Sequence, residues 1–434
     1  MIRNINFKLI GAVSVGNLLE WYDFGLFSTF SPLFAKLFFP EMDHRAAMLR
    51  VFGIFAVGFL CRPLGAILFG HLGDSIGRIR TLRISILAIG IPTLLIACIP
   101  TYQSIGIYAS MLLLLLRVFQ GISLGGEFTG IIIYLTETSP LKNRAFSASF
   151  AGTAANLGIL CGMGIVYVLT NLLPIEKYEL FGWRIAFLIG GVLSVWVVYV
   201  RLRLVETPIF KTLLREKKIL KLPLKQAFKK TPLRMLKIMG LILFGSIFYY
   251  TCYGYFQEYW VDVLHFSAQK GLTIQMIALI SMLFLVPLGG MLCDKLGRRK
   301  SFIWLTGSAL LLSLPCFYLF QTGWMMGLII GMSVLTLISS MEQGTTSVTV
   351  VEQVPPEFRY SALSLSYNVT QALFGGTAPL VSAYLIFHTQ NPIMPVYYLM
   401  AAALVTLVVV LFTLKETAPF VKSSVKDTST PIQL

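Results

Sequence analysis

The chain has 434 residues, 56% of them hydrophobic and only 12% charged, with a formal net charge of +16. So apolar a composition excludes an ordinary soluble domain. A positive charge confined to alternate loops between apolar runs excludes a nucleic-acid surface.

Runs of about 20 or more apolar residues, each long enough to cross a hydrocarbon core of roughly 30 Å as a helix, predict twelve spans. They fall near 9–36, 48–73, 82–101, 105–136, 145–173, 183–204, 236–261, 272–293, 301–321, 324–351, 359–387 and 393–414. Helices are required because lipid satisfies no backbone hydrogen bonds, and barrel strands would be shorter and alternating. The first run is too long for a signal-peptide core, contains acids and lacks a cleavage pattern. Six cysteines, at 61, 98, 161, 252, 293 and 316, fall in or at the edges of spans without zinc-site spacing, so they read as packing residues and no metal is expected.

Basic residues occupy every second loop. Arg78, Arg80 and Arg83 follow the second span, and Lys142 and Arg144 the fourth. Ten more run from Lys211 to Lys237 after the sixth, Lys295, Arg298, Arg299 and Lys300 follow the eighth, and Lys415, Lys422 and Lys426 lie in the tail. The opposite loops are nearly neutral, which predicts that both termini are cytoplasmic. The excess is an orientation signal and a contact for lipid headgroups in the bilayer; no nucleic-acid partner is expected.

Two phrases repeat. Gly70-His-Leu-Gly-Asp74-Ser-Ile-Gly77-Arg78 returns as Gly290-Met-Leu-Cys-Asp294-Lys-Leu-Gly297-Arg298, and Glu137…Arg144 returns as Glu352…Arg359 with the same acid-to-arginine spacing. The repeats, at nearly one offset, indicate a duplicated membrane architecture. The polar stretch 206–235 then divides an amino-terminal bundle, 1–205, from a carboxy-terminal bundle, 236–415, with a short cytoplasmic tail, 416–434. The expected fold is an all-α membrane protein with twelve transmembrane helices in two pseudo-symmetric six-helix bundles.

An ionised side chain near the bilayer centre costs at least about 2.5 kcal/mol on insertion scales, so each one faces a cavity or a partner. Glu20 lies roughly 16 Å into the first span and Asp23 is within about 60° of it on the helix. Arg62 and Arg117 sit at similar depth in the second and fourth spans. The spacing of Arg117, Gln120 and Glu127 puts them on one stripe of the fourth span. Glu342 and Gln343 lie in a segment so polar, Thr336 to Thr349, that it should line water. Tyr249, Tyr250, Tyr253 and Tyr255 cluster in the seventh span, and Tyr367, Asn368 and Gln371 in the eleventh. A structural alternative stays open for the arginines: Arg62 paired with Glu20 or Asp23 to hold two helices, and Arg117 as an internal latch.

The repeated loop phrase, Arg117-Val-Phe-Gln120-Gly121 and the six-plus-six plan resemble the major facilitator superfamily, which general accounts of nested membrane repeats use as an example. Gly16-Asn-Leu-Leu-Glu20-Trp-Tyr-Asp23-Phe, Phe59-Leu-Cys-Arg62-Pro-Leu-Gly65, Gln120-Gly-Ile-Ser-Leu-Gly-Gly-Glu127-Phe, Gly182-Trp-Arg184 and Glu206-Thr-Pro208 resemble its metabolite:proton symporter family, and within it the bacterial proline/betaine transporters. The resemblance implies a gate at the repeated loops: Gly70, Asp74, Gly77, Arg78, Glu137 and Arg144 in one network, with Asp294, Gly297, Arg298, Glu352 and Arg359 as its counterpart. The first copy reads Ile79-Arg80 where two basic residues are common, which implies a weaker first latch. Some osmosensing relatives end in a long coiled coil; the nineteen residues after Lys415 carry no heptads, so no such tail gating is expected.

With no Gly-x-x-x-x-Gly-Lys-Ser/Thr loop and no sizeable soluble domain, ATP is excluded and an ion gradient remains. The expectation is proton-coupled uptake, by alternating access, of a small carboxylate-bearing metabolite in the bacterial inner membrane. The proton is the coupling ion, no other cofactor is needed, and the working unit is a monomer. Glu20, Asp23 and Glu127 are the proton candidates. Arg62 and Arg117 would grip a carboxylate bidentately. Trp21, Tyr22, Tyr249 and Tyr253 would face a cationic head, with Glu342, Gln343, Asn368 and Gln371 completing the site. Carboxylate plus cation favours a zwitterion such as proline or betaine; a di- or tricarboxylate such as α-ketoglutarate or citrate, or shikimate, and an exporter of amphipathic compounds remain alternatives. An enzyme is not expected, because Asp23 and Asp74 lie at different depths and cannot form an intramembrane protease dyad.

Overall fold

The computed structural model describes residues 5–418; Lys422 and Lys426 lie outside them. Among the described residues there is no β-strand, and twelve long helices cross in one direction or the other. They are α1 (Phe7–Phe38), α2 (His44–Ser75), α3 (Arg78–Cys98), α4 (Ile107–Thr138), α5 (Arg144–Leu172), α6 (Trp183–Leu202), α7 (Pro232–Val263), α8 (Ala268–Leu296), α9 (Arg298–Gln321), α10 (Met325–Glu352), α11 (Pro356–Thr389) and α12 (Met394–Thr413). Eleven are long and apolar enough to cross a bilayer by length and composition. The other, α1, has 32 residues interrupted by Glu20 and Asp23, and at 1.5 Å per residue measures about 48 Å. All six cysteines are free thiols.

Several helices start three or four residues earlier than the sequence reading, and at α3 and α9 the reason is the same. Gly77 and Gly297 adopt φ of 108° and 94°, a region that favours glycine. Each turns the chain so sharply that the next helix begins at once, α3 at Arg78 and α9 at Arg298. Arg80 and Arg83, expected in a loop, therefore belong to the first turns of α3. The linker is not featureless either: Pro208–Arg215 and Pro223–Lys230 form short helices, each with proline in its first turn.

Glycines set the closest helix crossings. On α2 and α4, a Cβ at Gly65 would collide with the Ile122 carbonyl, one at Gly121 with Gly58, and one at Gly125 with the Arg62 carbonyl. Small residues permit such backbone approach where lipid offers no hydrophobic drive to pack helices. Within the first half α1 packs along α5, α2 along α4 and α3 along α6; between the halves α2 packs along α11, and α5 along α8. These last two pairs are images of each other under the repeat. Two helices at the centre carry π-turns that meet, Tyr250–Tyr255 in α7 and Gln371–Gly375 in α11: the Tyr250 ring covers Gly375. Such turns widen the helix locally and often mark functional positions.

Candidate functional site

Asp23, Arg117 and Glu127 find their charged partners within the first half. Asp23 on α1 accepts from Arg117 Nη1 at 2.8 Å and Gln120 Nε2 at 2.9 Å, both on α4, and from the Thr93 hydroxyl of α3 at 3.1 Å. The Arg117 guanidinium also lies 3.7 Å from the centroid of the Phe27 ring. A cavity of about 30 Å³ adjoins this cluster, lined by Glu20, Asp23, Arg117 and Gln120 among apolar neighbours. Its wall is mostly apolar around these four side chains, and its volume is room for about two waters. Glu20 is 2% exposed, and its Oε2 has no hydrogen-bond partner among the described residues.

The predicted stripe on α4 divides. Arg117 and Gln120 go to Asp23, whereas Glu127 turns to Arg201 of α6, a residue the sequence reading did not single out. Arg201 Nη2 lies 2.5 Å from Glu127 Oε1, and both side chains are fully buried. The same guanidinium donates to the carbonyls of Leu82 at 2.5 Å and Val13 at 2.9 Å, and the Ser85 hydroxyl donates to Glu127. One arginine therefore ties α6 to α1, α3 and α4. Gly16 makes room for it, since a Cβ there would strike Arg201 Nη2.

Arg62 pairs with neither acid among the described residues. Its Nε donates to Asn368 Oδ1 of α11 at 3.0 Å, and Asn368 Nδ2 donates to the Gly125 carbonyl at 2.8 Å. Asn368, expected at the substrate, thus fastens one half to the other. Tyr22 donates to the Ala186 carbonyl at 2.8 Å inside the first half, and Tyr253 to Thr336 at 3.0 Å beside α10. Arg62, Arg117, Tyr22, Tyr253 and Asn368, expected at the substrate, do not line the central cavity; each is bonded to another group of the bundle.

That cavity, about 70 Å³, lies between the halves. Of the expected substrate residues Trp21, Tyr249, Glu342, Gln343 and Gln371 line it, joined by Tyr250, Tyr367 and Asn156. Tyr249 donates to Asn156 Oδ1 at 3.0 Å, and Asn156 donates to Gln343 at 3.3 Å, so both halves frame the wall. Trp21 and Tyr249 meet edge to face with centroids 6.2 Å apart, as do Tyr249 and Tyr250 at 5.7 Å.

Toward the basic ends of the helices the halves are latched, and the latch is exchanged between them. Asp74 accepts from the backbone amides of Tyr360 at 3.1 Å and Ser361 at 2.8 Å, at the start of α11. Its counterpart Asp294 accepts from those of Ala145 at 3.1 Å and Phe146 at 2.9 Å, at the start of α5. Each carboxylate caps the helix of the opposite half, where free N–H groups and the helix dipole favour an anion. Gly70 and Gly290 bring the backbones together: a Cβ would lie 2.8 Å from Ser361 Cα in one case and 2.7 Å from the Ala145 carbonyl in the other. The family-implied grouping needs one correction. Arg144 lies 3.7 Å from Glu352 and Arg359 lies 2.8 Å from Glu137, so these arginines cross to the other copy's acid. Arg78 lies 3.4 Å from both Asp74 and Glu137, and Arg298 lies 2.9 Å from Asp294 and 3.2 Å from Glu352.

The departure at Ile79-Arg80 does not touch these crossings. Arg80 is exposed, and in the second copy Arg299 reaches the Leu411 carbonyl of its own half at 2.9 Å. A third repeated phrase, unnoticed in the sequence, completes the latch. Glu206 accepts from the Ile79 amide at 3.1 Å, and Glu416 from those of Arg298 at 2.9 Å and Arg299 at 3.1 Å. The next residues, Thr207 and Thr417, donate to Glu137 at 2.6 Å and to Glu352 at 2.5 Å. Glu-Thr at the end of each half was the available signal.

Known proteins agree with this architecture. A proline/betaine transporter of Escherichia coli is 36% identical over 422 residues, covering 95% of this chain and 84% of that one. A glycine betaine/proline/ectoine/pipecolic acid transporter of Dickeya dadantii is 34% identical over 421 residues, covering 95% and 83%. Among solved structures, a proton:xylose symporter superposes with a TM-score of 0.75 at 18% identity, over 94% of this chain and 96% of that one. The family profile described as Major Facilitator Superfamily matches residues 13–379. The chain is a multi-pass membrane transporter, and it belongs to the major facilitator superfamily.

Proposed function

We propose that this secondary transporter couples proton entry to uptake of a small zwitterion of the proline or betaine kind, by alternating access across a bacterial inner membrane. Both termini are cytoplasmic in this reading, and one chain is the working unit. The observation that carries it is the separation of two cavities by Trp21 and Phe24, whose rings lie 5.2 Å apart. The larger lies between the halves, where rocking would alternately expose it. The smaller holds Glu20 and Asp23 inside the first half. Glu20 is the proposed proton carrier: it is buried, and its free oxygen offers a proton a place without breaking an ion pair. Asp23 takes part through its salt bridge to Arg117, 2.8 Å away, which ties α1 to α4 beside the same cavity. Proton binding in one cavity and substrate binding in the other then favour the same conformational change, which is linkage between two sites.

The relatives' names support the zwitterion over a di- or tricarboxylate. So does the central cavity, whose lining contains no lysine or arginine to neutralise two or three carboxylates. The test is uptake into proteoliposomes under an imposed pH gradient, with proline, betaine, α-ketoglutarate, shikimate and citrate. The expected result is accumulation of proline or betaine that collapses with the gradient. Glu20→Gln should lose gradient-driven accumulation while still exchanging labelled for unlabelled substrate. Accumulation by Glu20→Gln equal to the parent protein would remove Glu20 from the coupling.

A further inference from the structure

The central cavity has one formal charge in its lining, and it is negative. Glu342 is 7% exposed, lines the cavity together with Thr346, and forms no ion pair with a lysine, arginine or histidine among the described residues. Its carboxylate lies against Gly245 so closely that a Cβ there would overlap it. The neighbouring wall is aromatic: Trp21, Tyr249, Tyr250 and Tyr367. Ring faces attract an ammonium through their quadrupole, most strongly when water is excluded, and aromatic walls are a recurrent way to hold quaternary ammonium groups. Both arginines that would grip a carboxylate are occupied elsewhere, Arg62 on Asn368 and Arg117 on Asp23.

We propose that the central cavity is an organic-cation site in which Glu342 is the counter-ion and Trp21, Tyr249 and Tyr250 are the ring faces. The ammonium end of the substrate is the end that is read, and the carboxylate contributes little. This rests on the zwitterion reading above and reverses the emphasis that two membrane arginines suggest. It makes a small ammonium compound without any carboxylate a ligand, and a carboxylate without an ammonium a poor one.

The test is equilibrium binding to the purified full chain in nanodiscs, with betaine, choline and α-ketoglutarate as probes. Choline should bind within about ten-fold of betaine, and α-ketoglutarate should not compete with either. Glu342→Gln should weaken betaine and choline alike by about ten-fold or more, the size of one lost charge contact of about 1.4 kcal/mol. Trp21→Leu should weaken both while Trp21→Phe, which keeps a ring face, retains most of the affinity; this pair carries the test if Glu342→Gln unfolds early in a thermal melt. Betaine bound by Glu342→Gln within two-fold of the parent protein, or choline failing to bind while betaine does, would overturn the cation site and leave the transport reading intact. Failure of betaine and proline to bind or be transported, with choline held in a Glu342-dependent way, would overturn the zwitterion reading and leave the cation site.

Discussion

Single residues in this protein are placed by what each charge finds inside a low-dielectric bundle. Glu127 and Arg201 illustrate the rule. Neither could remain alone at 0% exposure, and the pair is held by the Val13 and Leu82 carbonyls as well as by mutual attraction. Breaking a buried pair by deleting one partner costs about 3–5 kcal/mol because the survivor is stranded. Arg201→Met should therefore lower the unfolding temperature in detergent markedly, and adding Glu127→Gln should recover much of the loss. If the double variant melts no higher than the single one, the pair is not the reason for the arginine. The sequence named Glu127 but missed Arg201, because an arginine in the last turn of a span reads as one that reaches for the headgroups. Only the packing of four helices shows that it points inward.

At the scale of helices, the latch that we propose as a gate depends on backbones that approach without side chains and on carboxylates that cap helices across the interface. Gly70 and Gly290 permit the approach; Asp74 and Asp294 supply the caps. Gly70→Ala should prevent α2 from seating on Ser361, so the basic end should open more often. A cysteine placed at Ser347, which lines the cavity, reports this through its labelling rate by a reagent added on the side of the basic end. About a ten-fold increase corresponds to roughly 1.4 kcal/mol of lost closure. Asp74→Asn should move the same rate in the same direction, since it removes the charge that two amides share with Arg78. Unchanged labelling in both variants would mean that this crossing does not hold the gate. The repeated phrases marked these residues in the sequence, with their spacing and approximate depth. The exchange of Arg144 and Arg359 between copies was not legible, because a repeat shows which residues correspond and not which of them touch.

The whole molecule is two repeats closed on each other at the basic end with a cavity above the closure. In the proposed alternating-access cycle, rocking one half against the other would break the crossings of α2 with α11 and α5 with α8 together, because the two are symmetry-related parts of one interface. A molecule in which either crossing is weakened should accordingly exchange substrate faster but accumulate it less. Thr207→Val and Thr417→Val, each removing one hydroxyl from a latch carboxylate, should do so by similar amounts, about five-fold in exchange rate for roughly 1 kcal/mol per hydrogen bond. Paired efflux and accumulation assays on proteoliposomes would measure it, and an effect confined to one of the two threonines would show that the latches are not equivalent.

The sequence by itself determined the number of spans, the duplication, the expected sidedness and, Arg201 apart, the acids and arginines that are buried inside the membrane. Those follow from composition and periodicity, since the bilayer dictates span length and taxes every buried charge. The tertiary structure decided which charges meet. It gave Arg117 to Asp23, Arg201 to Glu127 and Arg62 to Asn368, and it left Glu342 facing an aromatic cavity without a basic partner. Depth along a helix is written in one dimension. Partnership depends on how each helix is rotated and on which neighbour it meets, and those are properties of the packed bundle alone.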